Sequence, residues 1–137
     1  MQEEVIVPTP GSVFYFAFSK HVPPGHEQEG KRPAIIVSIP SDHGDPRFPV
    51  FIVLPLTTFK NQDWVGKSPN LYPVLIAAPN GIERDSIVLL DQIKAVDVSR
   101  VERYIGKLNQ QDFDIVVGKL KALLKRSKPR ELAPAKA

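Results

Sequence analysis

Lys31-Arg32-Pro33-Ala34-Ile35-Ile36-Val37-Ser38-Ile39 joins a conformationally restricted arginine to an unbroken run of mostly β-branched, apolar residues. Residues 34–39 have the composition of a buried strand. Pro33 disfavours the α region for Arg32 and holds its backbone extended. Arg32 is therefore expected directly before that strand, projecting from the edge of a barrel or sheet. Upstream, Gly25-His26-Glu27-Gln28-Glu29-Gly30 reads as a polar, glycine-bounded loop long enough to cover a ligand. A guanidinium is a planar, always-charged fork that suits phosphate oxygens, so this arrangement can bind a phosphodiester without a metal.

Outward from this point the chain reads mostly as short strands. Residues 12–18, 34–39, 50–56, 72–78, 86–90 and 93–96 are the candidates, with spacers such as SDHGDPRFP and PNGIERD between several of them. Six short strands with Gly/Pro punctuation indicate a small, strongly bent barrel and not a layered α/β fold. Pro55 within Val53-Leu54-Pro55-Leu56 implies an edge or a bulge, because proline donates nothing to a ladder. Residues 99–105 read as a short helix or helical turn. A clearer helix runs over residues 110–125, with Asn109 as N-cap and Asp112 three residues later giving a capping-box-like start. Phe113, Val116, Val117, Leu120, Leu123 and Leu124 recur along it at helical spacing. The expected organisation is one domain over residues 1–127 and a disordered basic tail over 128–137.

Charge divides unevenly. The net charge is +3, but residues 119–137 carry +6 and residues 1–118 carry −3. The body is thus mildly acidic, and a nucleic-acid surface spread over the whole domain is not indicated. Lys119, Lys121, Lys125 and Arg126 favour the C-terminal end of the helix dipole, and their ordinary reading is solvated charge. The chain has no cysteine, which excludes disulfides, thiolate catalysis and zinc–thiolate sites. It has no apolar run of the roughly 20 residues that a membrane span takes. The opening MQEEVIVPTPG lacks the apolar core of a secretory signal, so the expected location is cytoplasmic, with no membrane partner.

Candidate chemistry is distributed. His21, His26 and His43 fall in loops without metal-ligand spacing, so neither a metal nor another cofactor is expected. No Gly-x-Ser-x-Gly elbow and no Walker or Rossmann glycine pattern occurs. What remains is His26, Glu27, Gln28 and Arg32 from the first loop, Thr57 and Thr58 after the third strand, and Asp91-Gln92 after the fifth. Each alone has an ordinary structural reading: a Thr-Thr pair suits a strand end, and an Asp between strands stabilises a turn.

Together these pieces resemble one family. Gly-Ser-Val-Phe-Tyr-Phe at 11–16, Glu27-Gln28 with Lys31-Arg32-Pro33-Ala34, and Pro55-Leu56-Thr57-Thr58 occur in its order. Arg84-Asp85-Ser86-Ile87-Val88-Leu89-Leu90-Asp91-Gln92-Ile93, Val96-Asp97 with Arg100, and Gly106-Lys107-Leu108 follow. The chain resembles PemK/MazF-type toxins of bacterial toxin–antitoxin pairs from about residue 10 to 125. The resemblance implies a mainly β, SH3-like barrel with a C-terminal helix, acting as a homodimer. It also implies a metal-independent endoribonuclease that cleaves single-stranded RNA and is restrained by a cognate antitoxin.

By the same resemblance, Arg32 stands at the catalytic arginine of the Arg-Pro motif, and Thr57 supplies a hydroxyl at the scissile phosphate. Glu27 and Gln28 lie on the substrate-facing loop beside His26, and Asp91-Gln92 matches an element near the RNA groove. In RNA the 2′-hydroxyl attacks the adjacent phosphorus, and Arg32 with Thr57 would stabilise the charged phosphorane. Arginine's reference pKa above about 12 makes it a poor general acid, so the acid is left unassigned. Glu27 is the candidate base. Two departures stand out: Lys94-Ala95 replaces Arg-Thr before Val96-Asp97, and the SDHGDPRFP spacer lacks an asparagine. The competing class is a non-catalytic binder, such as the gyrase-poisoning toxins of similar fold. Such a binder has no need of an arginine–threonine pair in a groove.

Overall fold

The computed structural model describes residues 5–125. Its chain order is β1 (Ser12–Phe18), β2 (Gly30–Ser38), β3 (Val50–Thr58), α1 (Asp63–Lys67), β4 (Val74–Leu75), α2 (Ala77–Asn80), β5 (Ser86–Val88), β6 (Lys94–Asp97), β7 (Val101–Lys107) and α3 (Gln110–Leu123). The tail over 128–137 and Arg126 lie outside the described residues.

All strand pairs are antiparallel, and the main path runs β4-β5-β3-β2-β1-β7, with β6 on β3. β6 lies beyond β3 and β7 lies beyond β1, yet a single 3₁₀ turn, Val98–Arg100, joins them. Three residues cannot cross a flat five-stranded sheet, so β6-β3-β2-β1-β7 must curl until its two margins nearly meet. Asp97 caps that turn by accepting from the Ser99 amide at 2.9 Å. The Val98 amide is held by the Pro49 carbonyl at 3.1 Å.

Alternation along the strands feeds two cores. Phe14, Phe16, Phe18, Ala34, Ile36, Phe51, Val53 and Val96 pack on one face. Val13, Ile35, Leu54 and Leu56 point the other way, where Val116 and Leu120 of α3 cover them. Period-two alternation thus buries both sides of β1 to β3. The stripe on α3 supplies Val116, Leu120 and the half-buried Phe113, whereas Leu123 and Leu124 remain exposed.

The start of α3 departs from a simple capping box. Asn109 Oδ1 accepts from the Asp112 amide at 2.8 Å, as the spacing predicts. The return bond to the N-cap amide comes from elsewhere: Asn109 N donates to Asn80 Oδ1 at 3.0 Å. Asn80 is fully buried, and its amide nitrogen donates to Ile76 O and Asp112 Oδ2, both at 2.9 Å. Gly106 lets β7 run against this corner, because a Cβ there would overlap the Gly81 carbonyl.

Several sequence expectations need correction. Residues 99–105 are not helical beyond the 3₁₀ turn; β7 occupies Val101–Lys107 because the free edge of β1 offers a ladder. The strand expected over 72–78 shrinks to Val74–Leu75, since the Ala77 amide is taken by Asp85 Oδ1 at 2.8 Å and α2 begins there. The strand over 86–90 stops at Val88: the Leu89 amide still reaches Pro55 O at 3.0 Å, but Pro55 has no N–H to return the bond, and a 3₁₀ turn begins at Leu90.

Pro55 marks neither an edge nor a bulge. β3 is flanked on both sides, by β2 on one and by β6 and then β5 on the other. A residue's N and O point to the same side of a strand, so the Pro55 nitrogen faces the switch between those two partners. The Leu89 amide donates to the Pro55 carbonyl there, and Pro55 has no N–H with which to return the bond.

Candidate functional site

Arg32 lies inside β2, opposite Phe16 of β1, and not ahead of the strand as expected. The β2–β3 ladder ends at Ala34–Pro55. Because Pro55 directs its carbonyl away from β2, the next pair, Pro33 with Leu56, would exchange the next ladder bonds. Pro33 has no N–H to contribute, and the two strands part. Register carries Arg32 opposite Thr57 across the opening. The proline that extends Arg32 therefore also makes the gap that Arg32 lines.

A cavity of about 310 Å³ occupies this gap, lined by Lys31, Arg32, Thr57, Thr58, Glu83 and Arg84 over a floor that includes Val13, Leu56, Ile82 and Ile105. Arg32 Nε donates to the Glu29 carbonyl at 3.3 Å, which orients an otherwise exposed guanidinium. Glu83 is engaged by Arg103 at 3.1 Å, and Lys31 by Glu102 at 3.5 Å. Among the described residues neither Arg32 nor Arg84 has a carboxylate partner. The gap is a cationic slot suited to a phosphate and lined by Thr57 and Thr58, which as neighbours in β3 point their side chains to opposite faces of the strand.

Thr57 also lines a second cavity, of about 460 Å³, with His26, Gln28, Trp64, Tyr72, Leu89, Asp91 and Gln92. The first loop is tied to this wall by the Gln28 amide, which donates to Gln92 Oε1 at 3.3 Å. Tyr72 donates its hydroxyl to Asp91 Oδ2 at 2.6 Å and meets Trp64 edge-to-face, with centroids 4.8 Å apart. That hydrogen bond, then burial and the nearby negative charge, push the Tyr72 phenol up to about 12.

The structure therefore gathers Arg32, Thr57 and Thr58 around one cavity and His26, Gln28, Thr57, Asp91 and Gln92 around the next. Glu27 lines neither; its exposed carboxylate is turned back over Gly25. Lys94, the departure before Val96-Asp97, covers the Phe18 ring at 4.8 Å and lines neither cavity. Lys31, Arg84, Trp64 and Tyr72 were not singled out as site residues. Trp64 carried a usable signal, as the single tryptophan in a polar spacer. Among the described residues no three His, Asp or Glu side chains gather as a metal-ligand group, and no helix is long and apolar enough to cross a membrane.

Comparison with known proteins adds four findings. A family profile described as "PemK-like, MazF-like toxin of type II toxin-antitoxin system" matches residues 9–124. Endoribonuclease EndoA of Bacillus subtilis (strain 168) is 33% identical over 106 residues, covering 77% of this chain and 84% of that protein. The crystal structure of MazF from Deinococcus radiodurans superposes with a TM-score of 0.64 at 25% identity, over 88% of this chain and 98% of that one. In a MazE-MazF structure from the same organism the matching chain is 26% identical, with a TM-score of 0.60 over 88% of this chain and 97% of its own.

Proposed function

The chain belongs to the PemK-like, MazF-like toxins of type II toxin–antitoxin systems and is an endoribonuclease of that kind, and we propose that it cuts single-stranded RNA by 2′-hydroxyl transesterification without a metal ion. The observation that carries this reading is that Arg32 and Thr57 line one cavity at the gap where β2 and β3 part.

A scissile phosphate in that slot receives charge-assisted hydrogen bonds from Arg32 and a hydroxyl donor from Thr57. As the 2′-oxygen attacks, negative charge grows on the non-bridging oxygens, and donors fixed beforehand stabilise the phosphorane more than the ground state. Arg84 adds positive potential from the opposite wall. The products are a 2′,3′-cyclic phosphate and a 5′-hydroxyl. DNA lacks the nucleophile, so it binds without being cut. Glu27 acts as base once its side chain swings from Gly25 towards the slot; Gln28, Thr58, His26, Asp91 and Gln92 contact the flanking RNA.

The toxin works in the cytoplasm as a homodimer, whose two subunits build a composite groove on an otherwise acidic body. A cognate antitoxin with an acidic segment competes for Arg32, its carboxylates imitating phosphate oxygens. The Deinococcus radiodurans MazE-MazF structure supports a protein partner of this sort.

The test is incubation with a long RNA in EDTA, followed by mapping of the ends. Cleavage with 5′-hydroxyl and cyclic or 3′-phosphate ends is expected. Dependence on Mg²⁺, or 3′-hydroxyl products, would falsify the mechanism.

A further inference from the structure

The loop over residues 19–29 leaves β1 and re-enters the sheet at Gly30 of β2, and Glu29 is bonded at both ends of its own structure. Its carboxylate Oε2 accepts from the His21 amide at 2.9 Å, across eight positions of the chain. Its carbonyl accepts from Arg32 Nε at 3.3 Å. One residue thus connects the start of the loop to the guanidinium. Glu29 is half-buried, whereas Glu27 is exposed. The preceding amide, Gln28, donates to Gln92 Oε1 at 3.3 Å, so two successive residues anchor the end of the loop.

Both bonds have a local physical cause. Gly30 has φ +79°, yet a Cβ placed there would meet nothing within 4 Å. Glycine is needed for conformation and not for space: the left-handed turn sets the plane of the Glu29–Gly30 peptide against β2, and with it the carbonyl that meets Arg32. A glutamate three positions before an arginine would ordinarily pair with its charge. Here the carboxylate is taken by a backbone amide, and among the described residues Glu29 forms no ion pair. Arg32 receives a neutral carbonyl instead and keeps its charge for an anion.

We propose that Glu29 is a positioning residue: its carboxylate latches the loop to the His21 amide, and its carbonyl orients the Arg32 guanidinium at the slot. This rests on Arg32 as the group that stabilises the phosphorane. Glu29 lines neither cavity and acts only through Arg32. A catalytic group misplaced by about 1 Å costs on the order of a hundredfold in rate.

The test uses the full-length chain and two readouts. In an NMR spectrum, the Arg32 Nε–H resonance is identified by its loss in Arg32→Ala. Glu29→Ala should speed the exchange of that proton with water, whereas Glu29→Gln, which keeps an oxygen for the His21 amide, should not. In RNA cleavage, Glu29→Ala should lower kcat about ten- to a hundredfold with KM changed far less, and Glu29→Gln should restore most of the loss. Unchanged exchange or wild-type kcat in Glu29→Ala overturns the proposal. So does a Glu29→Gln variant as slow as Glu29→Ala, which would make the negative charge, and not the acceptor, the operative feature. If wild-type protein cuts no RNA yet the Arg32 resonance responds as expected, the cleavage assignment fails and the positioning of Arg32 by Glu29 stands.

Discussion

Tyr72 donates its phenolic hydrogen to Asp91 Oδ2 across 2.6 Å, joining the segment after α1 to the turn that follows β5. Ionising the phenol would break that bond and set two negative charges together, so its pKa rises from 10.0 to about 12. The folded state therefore binds this proton more tightly than the unfolded chain does. The stabilisation is complete below about pH 10 and is lost as pH rises through about 12. In an ultraviolet titration, Tyr72 should ionise above its ordinary value, and Asp91→Ala should bring it back down. An unchanged titration in Asp91→Ala would show that the hydrogen bond does not form in solution.

Arg32→Ala should abolish RNA cleavage while weakening RNA binding much less, because in the proposed mechanism the guanidinium acts chiefly on charge that develops in the transition state. Single-turnover cleavage alongside a binding titration separates the two effects. Equal losses in both would make Arg32 a positioning residue.

Thr57→Ala removes one donor from the same gap and should cost on the order of ten- to a thousandfold in turnover. Thr57→Ser keeps the hydroxyl and should recover most of that activity. A serine variant as slow as the alanine variant would place the role of Thr57 in packing.

Asn80→Ala should destabilise the fold by roughly 2–4 kcal/mol, since it strips partners from the Ile76 carbonyl, the Asn109 amide and Asp112 together. Urea denaturation measures it directly. Asn80→Asp should be worse near neutral pH, where a second carboxylate faces Asp112, and partly relieved in mild acid. A midpoint within experimental error of wild type would mean that this buried junction contributes little.

Gly106→Ala should also lower the melting temperature, because the added methyl meets backbone at Gly81 and Asn80 and no flexible side chain can yield. Gly118→Ala, on an open stretch of α3, should be neutral or stabilising. The pair of variants separates a steric effect from a general effect of replacing glycine.

Much of the candidate site was legible one residue at a time. Arg32, Thr57 and the Asp91-Gln92 element stand in motifs, and the pattern of β1 to β3 and α3 follows from alternation and helical spacing. β7 was misread because Val101–Lys107 has no strong pattern of its own; it becomes a strand through the edge that β1 offers. Glu27 was placed with the catalytic groups by loop position, but a loop residue's side-chain direction is not written in its neighbours.

The sequence by itself determined the composition of the two cores, the capping of α3 by Asn109, and an arginine held extended by the proline after it. Those are local consequences of residue type and spacing. Tertiary structure alone decided that β2 and β3 part beyond the Ala34–Pro55 pair, opening the slot that Arg32 and Thr57 line. It also decided that Trp64 and Tyr72 close a second cavity around Asp91. Both depend on strand register and on contacts between segments far apart in the chain, which only the packed sheet specifies.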